Sequence, residues 1–67
     1  MKMKRSVAVH IAVMDYACGD IRMYTARLSQ EWTDDDVVNW LLEHDDNYRD
    51  STCDYMCSED EIEVLYE

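Results

Sequence analysis

A chain of 67 residues has room for one domain spanning 1–67, and its core is thin, because a chain of this length buries only about 60% of the surface it exposes when unfolded. A single glycine, Gly19, and no proline exclude a low-complexity chain and any phosphate-cradling loop that needs several glycines. A net charge of -10 works against direct binding of DNA or RNA, since the basic groove that follows phosphates is missing.

The start, Met1-Lys2-Met3-Lys4-Arg5, has the charge of a signal-peptide n-region. The next residues, Ser6 to Ala12, include His10 and run into Asp15 without a long apolar stretch, so the expected location is the cytoplasm. No apolar run approaches the roughly 18 residues of a membrane span.

Residues 5–14 alternate, with Val7, Val9, Ile11 and Val13 on one side and Ser6, Ala8, His10, Ala12 and Met14 on the other. Period two with β-branched residues predicts a strand. Residues 21–28 predict a second strand. Gly19 sits in the intervening loop, where a hairpin turn needs a positive φ. Thr33 is a helix N-cap with Asp36 in the capping-box position, and Trp32 and Val37 are placed as a hydrophobic staple. Asp34, Asp35 and Asp36 fill the first turn, where the helix dipole favours negative charge. The helix runs to His44, with Val38, Leu41 and Leu42 expected on its buried face, and the two tryptophans are expected in the core. Asp45-Asp46-Asn47 ends it. A short second helix around 48–57, or a turn, comes next. Alternation over Glu61–Tyr66 predicts a third strand at an edge or beside the first. The expected fold is α+β: a three-stranded antiparallel sheet in the order β-β-α-β with one helix packed on one face.

Cys18, Cys53 and Cys57 are an odd set without a second C-x-x-C-type pair, so reduced thiols are expected and no metal site or cofactor. His10 and His44 have no serine or cysteine at a spacing that makes a nucleophile pair. The run Asp45–Asp50 lacks the glycine of a calcium loop, with Arg49 where a ligand belongs. No catalytic residue is predicted, and the chain is read as not an enzyme.

Charge is the remaining signal. Residues 1–30 carry +3 and residues 31–67 carry -13. Packing does not require this asymmetry, and self-repulsion opposes it. It reads either as a solvated acidic surface or as a face for a partner. On the second reading the partner-binding candidates are Glu31, Asp34, Asp35, Asp36, Glu43, Asp45, Asp46, Asp50, Asp54, Glu59 and Asp60, with Tyr48 and Tyr55 as interface anchors.

A short chain, an acidic half over 31–67 and no catalytic motif together resemble the small acidic phage-encoded DNA mimics of the anti-CRISPR and antirestriction type. The resemblance lies in charge and covers no residue pattern. It implies a stoichiometric inhibitor presenting an acidic surface to the basic nucleic-acid-binding groove of a CRISPR effector subunit or nuclease. Lys2, Lys4, Arg5, Arg22 and Arg27 depart from mimicry; they are expected away from the partner, or paired with carboxylates of this chain or of a second copy. The alternative is a small self-associating assembly protein, a homodimer whose basic hairpin edge meets an acidic strand edge, with Ala8, His10, Ala12 and Met14 offering a face of low polarity.

Overall fold

The computed structural model describes residues 5–65. Lys2 and Lys4, and Tyr66 at the end of the expected third strand, lie outside them. The order is strand β1 (Ser6–Asp15), strand β2 (Asp20–Ser29), helix α1 (Asp34–His44) and strand β3 (Cys53–Ser58). The sheet is antiparallel throughout, with β1 between β2 and β3. The fold is α+β, as expected.

The hairpin arises from its turn chemistry. Asp15 ends β1, and its Oδ1 accepts the N–H groups of Ala17 and Cys18 at 3.0 and 2.9 Å. Gly19 closes the loop with φ of 72° and donates its N–H to the Asp15 carbonyl at 2.7 Å. An aspartate that bonds its own downstream backbone, followed by a residue free to take positive φ, is a hairpin loop with its register fixed. That register sets Val13 opposite Arg22, Ile11 opposite Tyr24 and Val9 opposite Ala26 on the covered side.

Val9, Ile11, Val13, Ala26, Val37, Leu41, Tyr48 and Cys53 form the buried core. Each fully buried Val, Leu or Ile side chain contributes about 1.5–3 kcal/mol relative to exposure. The helix begins at Thr33, whose N–H is accepted by the Asp36 carboxylate at 2.9 Å, the reciprocal half of the capping box.

Four local expectations are corrected. The helix buries Val37 and Leu41, while Leu42 is exposed. Its apolar stripe is rotated because Asp45, eight residues past Val37, is drawn inward on the same line by Arg22. Residues 53–58 are a strand, so no second helix forms around 48–57, and Glu61–Leu65 carry no strand. The reason lies in the return from the helix. Tyr48 is buried, and Tyr16 donates its N–H to the Thr52 carbonyl at 2.9 Å, so β3 starts beside Asp15. Cys53, Tyr55 and Cys57 then complete the covered side, and β1 has no free edge left for 61–65. Trp32 and Trp40 flank the core half-buried, and Tyr48 takes the central place they were expected to fill. Trp40 meets the Tyr24 ring edge-on at 5.5 Å and stacks on His44 at 4.2 Å, as aromatic quadrupoles favour.

Candidate functional site

The carboxylates fall into three groups. The first is neutralised inside the molecule. Arg22 stands on the covered side of β2 and binds Asp15 Oδ2 through Nη1 at 3.0 Å, Asp45 Oδ2 through Nε at 2.9 Å and Asp20 Oδ1 at 2.6 Å. Asp15 and Asp45 are used alike: the remaining Oδ1 of each holds a loop, Ala17 and Cys18 in one case and Asn47 at 3.0 Å in the other. The Cys18 N–H, helped by Arg22, holds the Asp15 pKa down to about 2 against burial. Burial pushes the Asp45 carboxyl up, and the bonds from Arg22 and Asn47 outweigh it, leaving the group below its ordinary value. Asp45 in turn keeps Arg22 protonated more firmly than a free guanidinium. This arrangement ties the hairpin loop to the end of the helix. Arg22 is thus paired within the chain, one of the placements expected of the basic residues.

Asp45 is therefore withdrawn as a surface candidate, because it is 4% exposed and its oxygens are spent. Tyr48 is withdrawn as an interface anchor at 1% exposure. Burial also raises its phenol pKa.

The second group gathers where the helix begins. Cys57 lies 4.0 Å from Asp34 Oδ1, and Trp32 donates its indole N–H to Glu59 at 3.1 Å. These contacts bring the end of β3 and the residues after it to the helix N-terminus. Glu31, Asp34, Asp35, Asp36, Glu59 and Asp60 thereby share one end of the molecule, all exposed. Among the described residues, none of Asp34, Asp35, Asp36, Glu59 and Asp60 is in an ion pair. Tyr55 is half-buried beside this group, its phenol raised first by burial and then by Asp34. Glu43 lies farther along the helix, lining with Asp36, Trp40 and Leu28 a shallow groove between α1 and β2.

The third group, Asp46, Asp50 and Asp54, is exposed at the opposite, hairpin end. There Tyr16 donates its hydroxyl to Asp54 at 3.2 Å. The predicted acidic face is thus divided between two ends.

The other predicted chemistry finds these positions. Cys53 and Cys57 share a side of β3, but four residues of strand place them about 13 Å apart, too far to hold one metal ion. No group of histidine, cysteine and carboxylate side chains able to hold a metal occurs among the described residues. His10 Nδ1 is 3.3 Å from Thr25 Oγ1, its cross-strand neighbour, on the uncovered side of the sheet. His44 Nδ1 meets the Trp40 carbonyl at 2.9 Å, closing the last helical turn. No helix of the described residues is long and apolar enough to cross a membrane.

Comparison with protein-family models, with curated proteins and with solved structures finds no match.

Proposed function

We propose that the chain is a non-enzymatic inhibitor whose acidic end, at the start of α1, enters the basic nucleic-acid-binding groove of another protein. The class of partner is a CRISPR effector subunit or nuclease acting on DNA, met in the host cytoplasm. The observation that carries this reading is the convergence of Asp34, Asp35, Asp36, Glu59 and Asp60 at one end with no ion pair to any described residue. Elsewhere the fold uses Arg22 to neutralise its buried acids, and here it leaves acids to solvent.

Spacing supports the reading. A helix rises about 1.5 Å per residue, and duplex DNA carries about one charge per 1.7 Å of axis. Three consecutive aspartates on the first turn match that linear density. The helix dipole stabilises them there, so the cluster costs the fold little. Lysines and arginines arranged to hold phosphates would draw such an end in from a distance. Tyr55 and Trp32, half-buried at its margin, add apolar contact.

The test is competition. A guide-loaded effector nuclease and a restriction endonuclease, each bound to labelled target DNA, are titrated with the protein. Displacement of DNA is expected from one of them. D34N/D35N/D36N should weaken displacement far more than D46N/D50N/D54N, which removes the same charge from the other end. Equal losses from the two variants would mean that overall charge acts rather than this face, and the reading would be wrong.

A further inference from the structure

The uncovered side of the sheet differs in kind from the rest of the surface. Alternation and register assign it Ser6, Ala8, His10, Ala12 and Met14 from β1, Ile21, Met23, Thr25, Arg27 and Ser29 from β2, and Asp54, Met56 and Ser58 from β3. The chain has sixteen carboxylates, yet only Asp54 stands on these strand positions, balanced by Arg27. The strand positions of this face sum to zero formal charge in a protein of -10. Its hairpin half is apolar: Ile21 is 66% exposed, Met56 52% and Met23 47%, around a buried Ala12. Beyond β3 the chain returns over this side and lays Ile62 beside His10, Met23 and Thr25, bringing Glu61 to the margin. Val64 and Leu65 come after it, both exposed.

We infer that this face is the contact between two copies of the chain, packed sheet to sheet about a two-fold axis. Two considerations select a second copy. First, two bodies each carrying -10 repel over most of their surface, and on this face carboxylates are fewest, Asp54 on the strands and Glu61 at the margin. Charge depletion with methionine enrichment is also the composition of an interface centre. Second, the two charges lie at opposite corners. Arg27 pairs across from Ala8 on β2, at the far end of the sheet from the hairpin. Asp54 pairs across from Met14 on β3, next to the hairpin. A two-fold axis lying in the face, perpendicular to the line joining them, brings Arg27 of each copy against Asp54 of the other. Such an isologous contact closes on itself. This is a face-to-face form of the self-association that the sequence offers as an alternative, and Arg22, bound inside the molecule, takes no part in it.

The dimer face is separate from the acidic end, and the two have opposite responses to salt. Screening weakens attraction to a basic groove but relieves repulsion between two acidic copies. The experiment is sedimentation equilibrium of the full chain over a wide concentration range, at about 0.05 and about 0.5 M salt. A mass of twice 8.0 kDa is expected at high concentration, with tighter association at the higher salt. Met56→Glu should raise the dissociation constant roughly tenfold or more, with an unchanged far-ultraviolet circular dichroism spectrum, since Met56 is half exposed in the single chain. Arg27→Asp and Asp54→Arg should each weaken the dimer, and the two together should restore it. A single-chain mass at the highest concentration and salt would overturn the proposal. So would association indifferent to Met56→Glu, or a double exchange no better than either single one.

Discussion

Replacing Arg22 by methionine tests the internal framework. The variant keeps the aliphatic stem of a side chain only 18% exposed and removes the guanidinium, which contacts Asp15, Asp20 and Asp45. Asp45 is then buried and charged with no cation beside it, held by the Asn47 N–H and the Tyr24 hydroxyl alone. Removing one partner from a buried ion pair costs about 3–5 kcal/mol. A 67-residue domain has about 3–10 kcal/mol in all, at roughly 0.05–0.15 per residue. The loss is therefore a large share of the total, and Tm should fall by at least about 12 °C. Circular dichroism melts from pH 7 to pH 2 add a signature that simple loss of packing would lack. The folded Asp15 carboxyl titrates at about 2, below its ordinary 3.8. Its stabilising contribution is thus complete above about pH 4 and is lost as pH falls toward 2. Asp45, also lowered, acts in the same direction. The wild type should lose stability in that window. In Arg22→Met, protonation relieves the stranded carboxylates, so its deficit should shrink as pH drops. A variant melting within a few degrees of wild type at pH 7, or a deficit constant with pH, would refute the reasoning.

Leu41→Ala should cost about 2–5 kcal/mol by urea titration, because Leu41 is wholly buried between helix and sheet. Leu42→Ala, on the exposed side of the same turn, should stay within about 0.5 kcal/mol. Thiol labelling of the native protein should reach Cys18 first, since it is exposed, while Cys53 reacts only on unfolding. Labelling of Cys18 should still be slower than that of an unstructured cysteine at neutral pH, because the Asp15 carboxylate beside it raises its pKa and keeps it protonated; Asp15→Asn should accelerate it.

The first strand, the hairpin and the helix start are legible in the sequence because each rests on local chemistry. Period two over Val7–Val13, one glycine in the loop and Thr33 before three aspartates leave little for tertiary context to change. The third strand is less legible. Residues 53–58 and 61–66 both alternate, and the choice is settled by Tyr48 burying itself after the helix and delivering Cys53 to Asp15. The helix face differs from expectation by one position because a buried aspartate, Asp45, steers it, and counting apolar residues cannot see that. A signal exists all the same. Asp15 continues the inward series Val9, Ile11, Val13, and Arg22 falls in the inward series with Tyr24 and Ala26. Opposite charges at inward positions of paired strands mark an internal ion pair. The two-ended division of the acids is not readable in sequence, because it depends on Trp32 and Asp34 gathering the end of β3.

The most direct measurement for the proposed function is the salt dependence of binding to a DNA-binding effector that the protein displaces from its DNA. Affinity should fall steeply as salt rises from about 0.05 to about 0.3 M, and the slope of log Kd against log salt should flatten in D34N/D35N/D36N while D46N/D50N/D54N keeps it. An affinity indifferent to salt, or the same slope in both variants, would contradict the assignment of the acidic end.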